Sequence, residues 1–210
     1  MKGSSALPPQ PIRLVRASVI FQSAKLGDIP RILDELAWAE ELLDAGLDVG
    51  RVYGVSGGAL VALAFSLVLA ARRDPQRWGA ARTALADFGD FLRRARSRDV
   101  RSLNLNPLYG VFNLRPLRFW LAGRLKSYGQ KQDVALSDLG VSLYLCALDQ
   151  DGILSLFGPP DDSLQFQYQF VRVGPPRDAP VVDAMLAALS TMLSTEPAWV
   201  PKGPSASSEG

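Results

Sequence analysis

Not one of the 210 residues is a histidine. A Ser-His-Asp triad passes the serine proton to an imidazole, so that form of serine catalysis is excluded. The same absence removes imidazole-ligated zinc and iron sites. Cysteine is almost missing as well. Cys146 stands alone, so no intrachain disulfide can form and a reducing compartment is the default. It lies in the apolar run 141–148, a context that predicts a small buried hydrophobe rather than a reactive thiol. Long apolar runs are lacking too. The longest, residues 59–71, falls short of the roughly 20 residues that span a bilayer. Residues 1–10 are polar and proline-bearing, without the apolar core of a secretory signal, so none is expected. There is no phosphate loop carrying lysine, no cysteine cluster and no dinucleotide fingerprint. Neither a metal nor a cofactor is expected.

The formal net charge is only +2, which implies no global attraction to nucleic acid, and no such partner is expected. Basic residues cluster locally, at Arg72 and Arg73 and again at Arg93, Arg94, Arg96, Arg98 and Arg101. Such runs read as solvated helix faces. With 48% hydrophobic and 21% charged residues, the chain has the composition of one compact domain with a sizeable core.

Three regions are expected: a flexible leader over 1–11, a folded domain over 12–201 and a disordered tail over 202–210. Residues 12–21 are apolar and β-branched, which predicts a first buried strand. Residues 29–45 carry Ile32, Leu33, Leu36, Ala39, Leu42 and Leu43 at helical spacing, and Gly46 suits the stop. A short strand over 49–53, a turn over 54–58 and an apolar helix over 59–71 follow. One helix is expected over 76–98, an irregular stretch over 102–111 and a helix over 114–126. Strands over 141–148 and 153–157 flank Asp151-Gly152, a hairpin signal. Residues 163–173 alternate as a half-exposed strand does, and 181–193 form an apolar helix. Strand, helix, strand, helix predicts a mostly parallel sheet with helices on both faces. The helix after residue 58 is apolar all round, so it must be buried.

Chemistry concentrates at Gly54-Val55-Ser56-Gly57-Gly58, a G-x-S-x-G sequence between an apolar strand and an apolar helix. That is the context of a nucleophile elbow. The serine sits on a sharp turn, and side chains at Gly54 or Gly58 would strike the neighbouring strand and helix. The Gly57 N–H lies at a helix N-terminus, where it can point at a developing oxyanion. A tight glycine turn with a serine N-cap is the plainer alternative.

The run from Val52 to Ala62 resembles the G-T-S-[AG]-G-[AS]-L-x-A element of patatin-like phospholipases. Residues 139–157 are similar to that family's strand ending in an A-T-D-L-x-T-G-like turn, and 187–201 to its A-S-x-A-x-P-x-x-F-P-P segment. The resemblance covers most of residues 19–201 in the family's order. It implies a three-layer α/β sandwich with a mostly parallel central sheet and a Ser-Asp dyad that needs no histidine. It also implies hydrolysis of lipid acyl esters through an acyl-enzyme on Ser56. Gly57 and Gly27 would be the oxyanion donors, and the substrate would be a lipid or another acyl ester. The expected location is cytoplasmic, with peripheral membrane contact as an option.

The chain departs from the family in two places. Where the family has a glycine-rich oxyanion loop, this sequence has Gln22, Ser23, Ala24, Lys25, Leu26 and Gly27. The family's D-G-[GA] element is also missing, since no aspartate follows Asp183. Asp151-Gly152 sits on the earlier turn and is not assigned the role of base. Two readings stay open: a lipid acyl hydrolase, truncated or degenerate, or an inactive patatin-fold protein serving as a binding or structural subunit. With neither base nor full oxyanion loop, the 210 residues alone are expected to hydrolyse short esters near background.

Overall fold

The computed structural model describes residues 16–23, 28–103, 112–131, 133–148, 154–161 and 176–190. Its order is β1 (Ala17–Ser23), α1 (Ile29–Asp44), β2 (Val49–Ser56), α2 (Gly58–Arg73), α3 (Pro75–Trp78), a 3-10 turn (Gly79–Thr83), α4 (Ala84–Arg94) and α5 (Ser97–Val100). Then come β3 (Ser102–Leu103), β4 (Phe112–Asn113), α6 (Arg115–Ser127), a second 3-10 turn (Leu136–Leu139), β5 (Ser142–Leu148), β6 (Leu154–Phe157) and α7 (Val181–Leu189).

The fold is α/β. A four-stranded sheet has the order β1-β2-β5-β6, and β3 pairs with β4 in a separate ribbon. β2 lies parallel to β1 and to β5, while β5 and β6 are antiparallel. Both crossovers step the same way across the sheet. Since such connections are right-handed, their helices fall on one face, and α1 packs against α2 there; these two crossovers therefore do not supply the helices expected on both faces. α7 packs on β5 and β2 and touches α2 and α6. Every residue of α2 from Gly58 to Ala71 is buried. Each Leu, Val or Phe so covered contributes about 1.5–3 kcal/mol. Arg73 ends the helix by donating to the Val49 carbonyl at 2.7 Å, and Arg72 donates to the Leu43 carbonyl.

α1 stops where expected, with Gly46 at φ 68°. The turn assigned to 54–58 is shorter than expected, because β2 runs on to Ser56. The single helix expected over 76–98 is broken. Trp78 leaves helical geometry at φ −120°, a 3-10 turn follows, and Ala95 is extended between α4 and α5. Trp78 and Ala81, on either side of the first break, are both buried in the core. Part of the stretch expected to be irregular, Ser102 and Leu103, forms β3. The expected hairpin is present as β5 and β6. Its Asp151-Gly152 turn, residues 12–15, the strand over 163–173, the segment 191–201, the leader and the tail lie outside the described residues. Among the described residues, no helix is long and apolar enough to cross a membrane.

Candidate active site

Ser56 ends β2 with φ at 51°, the one positive φ of a non-glycine residue among the described residues. Non-glycine residues in this region store about 1–3 kcal/mol and persist only where their surroundings impose it. Here the imposition is visible. A Cβ on Gly58 would lie 2.4 Å from both the carbonyl carbon and the oxygen of Phe21. A Cβ on Gly54 would lie 2.7 Å from the Ala59 Cα and 2.8 Å from the Ala62 Cβ. Strand, helix and neighbouring strand therefore close on the turn from three sides. Gly57 and Gly58 open α2, where first-turn N–H groups have no intrahelical acceptor and the helix dipole favours negative charge.

Parallel strands bring their C-terminal ends to one edge. Ser23 lies opposite Ser56 across β1 and β2, and Cys146 lies opposite Val55 across β5. Open α/β sheets bind ligands at this edge. Ser56 is half-buried there, and Gly54, Gly57 and Gly58 are buried. Among the described residues, no carboxylate or ammonium hydrogen-bonds the Ser56 hydroxyl. Gly27 and Lys25 lie outside the described residues, as do Asp149 and Asp151. Asp183 is engaged elsewhere, as an ion pair between α7 and Arg118 of α6.

No protein-family model, curated protein or solved structure matches this chain. The elbow must be judged on its own geometry.

Two features beside it go unremarked in the sequence. The first is Glu35, whose Oε1 accepts the Gln22 N–H at 3.2 Å and whose Oε2 is buried without a partner. It anchors the end of β1, one residue before the strand position facing Ser56. A signal exists: Glu35 follows Ile32 by three residues, next to the inward face of α1 formed by Ile32, Leu36, Ala39 and Leu43. The second is a polar cluster on β2 and β5. Arg51 pairs with Asp161 at 2.8 Å, Tyr144 donates to the same carboxylate at 3.2 Å, and Tyr53 stacks on Tyr144 at 5.2 Å. Alternation puts Arg51 and Tyr53 on the sheet face away from Gly54 and α2. Only long-range pairing brings Asp161 there, so no local sequence signal could have found the cluster.

Cys146 is half-buried rather than fully buried as expected, and that burial still pushes its pKa up to about 11. A cleft of about 270 Å³ lies between α4, α5 and α6, lined by Phe91, Arg94, Asp99, Trp120 and Arg124 among others. No elbow residue borders it.

Proposed function

We propose that the chain is a serine acyl hydrolase of patatin-like, three-layer architecture acting on lipid acyl esters. One observation carries this reading: Ser56 is held at φ 51° where β2 meets α2. Glycine would relieve that strain, and a serine kept there has its hydroxyl presented at the sheet edge. In the reaction, the Ser56 oxygen bonds to the acyl carbon and its proton passes to a base. The tetrahedral intermediate then expels the alcohol, which takes that proton, and water releases the fatty acid from the ester on Ser56. The Gly57 N–H stabilises the oxyanion, with Gly27 as the second donor. The resemblance assigns the base to an aspartate.

A second reading, an inactive patatin-fold subunit that binds rather than turns over, is favoured by one fact. Among the described residues, Ser56 has no carboxylate partner. A fluorophosphonate probe separates the two. The hydrolase reading expects covalent labelling of the full chain that disappears in Ser56→Ala, a result that would overturn the near-background activity expected from the sequence. Equal, background labelling of both proteins rejects it and leaves the binding subunit.

A further inference from the structure

We infer that the outward face of α6, together with β3 at its N-terminal end, is a docking surface for an anionic lipid bilayer. Leu117, Leu121 and Leu125 turn the inner side of α6 into the core, at 0%, 0% and 1% exposure. Arg115, Phe119 and Lys126 follow one another by four and seven residues, so they share the opposite face. Phe119 and Leu103 are the most exposed large apolar side chains described, at 74% and 71%. Asn113 ties β3 to the start of α6, accepting from the Ser102 hydroxyl at 2.7 Å and from the Arg115 N–H at 3.1 Å. Neither Arg115 nor Lys126 forms an ion pair among the described residues.

The charge distribution selects the partner. α6 holds four basic residues and no acidic one; Arg118 and Arg124 pair with Asp183 and Asp87, which leaves Arg115 and Lys126 as the cations on its outward face without an ion pair among the described residues. An aromatic anchor flanked by cations suits the boundary between headgroups and acyl chains. There the ring leaves water while the guanidinium and ammonium stay with anionic phosphates. Nucleic acid would use the same cations. A leucine, however, offers a base neither stacking nor a hydrogen bond, whereas both Leu103 and Phe119 gain from an acyl layer. No helix described is long enough to span the bilayer, so the contact is peripheral.

The test is sedimentation of the full chain with vesicles, either phosphatidylcholine alone or an equal mixture with phosphatidylserine. It needs no turnover, so it stands or falls apart from Ser56. The chain is expected on the mixed vesicles and not on the neutral ones, and to be released at about 0.5 M salt. Each cation near an anionic surface is worth about fivefold, so Arg115→Glu with Lys126→Glu lowers partitioning about 30-fold or more. Phe119→Ser lowers it about tenfold, while Phe119→Trp retains it. Equal binding to both vesicles, no binding to the mixed ones, or variants that partition like the parent would overturn the inference. So would displacement from vesicles by a single-stranded oligonucleotide, which would make the surface a nucleic-acid site.

Discussion

Gly46 and Gly58 are glycines for different reasons. At Gly46 the backbone needs a left-handed turn, with φ at 68°, and a Cβ would meet nothing within 4 Å. At Gly58 the space is taken: a Cβ would lie 2.4 Å from Phe21 backbone atoms. The two substitutions should separate accordingly. Gly46→Ala is expected to cost about 1 kcal/mol through conformational strain alone. Gly58→Ala has to push β1 away from α2 and is expected to cost about 3 kcal/mol or more, with loss of the Ser56 geometry. Urea unfolding of both variants checks the order, and similar losses would mean that the elbow tolerates more movement than its contacts indicate. Ser56 belongs to the same group. Its strain and its exposure at the sheet edge have one cause, the closure of three elements around it.

α2 has one flaw as a buried element. Ser66 is wholly covered and its hydroxyl has no hydrogen-bond partner. A covered polar group without a partner costs about 1–3 kcal/mol. Ser66→Ala should therefore raise stability by about 1 kcal/mol, read as a higher urea midpoint at unchanged slope; a lower midpoint would show that the hydroxyl is satisfied in solution. Why α2 was legible in the sequence is clear from its neighbours. An apolar strand, a glycine turn and an all-round apolar helix admit few other arrangements, and the structure differs from the expectation by three more residues on the strand and by one and two residues at the helix ends. The stretch after it was not legible. Apolar residues continue at helical spacing between residues 78 and 95, yet the backbone leaves helical geometry at Trp78 and again at Ala95. Local periodicity reports which residues want burial and says nothing of where the core is. The site divides the same way. Ser56 and its glycines announce themselves within five residues, while Glu35 and the Arg51, Tyr144 and Asp161 cluster depend on pairings across the sheet.

At the scale of the molecule, several acids are held in their neutral form by the fold. Burial pushes Cys146 up to about 11. Burial raises Tyr144 and Tyr128 further, helped by the neighbouring Asp161 and Asp87 carboxylates. Each binds its proton more tightly folded than unfolded, so its contribution is complete below the unfolded pKa and fades as pH rises through the folded one. The expected result is a plateau in stability from about pH 7 to 8, then a decline beginning as pH climbs from about 9 to about 11 and steepening as the tyrosines ionise. Urea midpoints followed by tryptophan fluorescence across that range test it. A midpoint unchanged at pH 11 would show that these groups stay protonated, or are solvated, in both states.

The strand order also sets a timetable. Val55 pairs with Cys146, about 90 residues later in the chain. At about 5–20 residues per second, a ribosome needs on the order of 5–20 s to make up that difference. Throughout that interval the nascent β2 and α2 lack the strand that will lie beside them, and α2, buried from Gly58 to Ala71 in the finished fold, waits with one flank uncovered. The serine turn is thus among the first parts of the fold to be made and among the last to be enclosed. A cell making this protein must shield α2 for that interval, which makes synthesis, rather than the finished fold, the stage most exposed to aggregation.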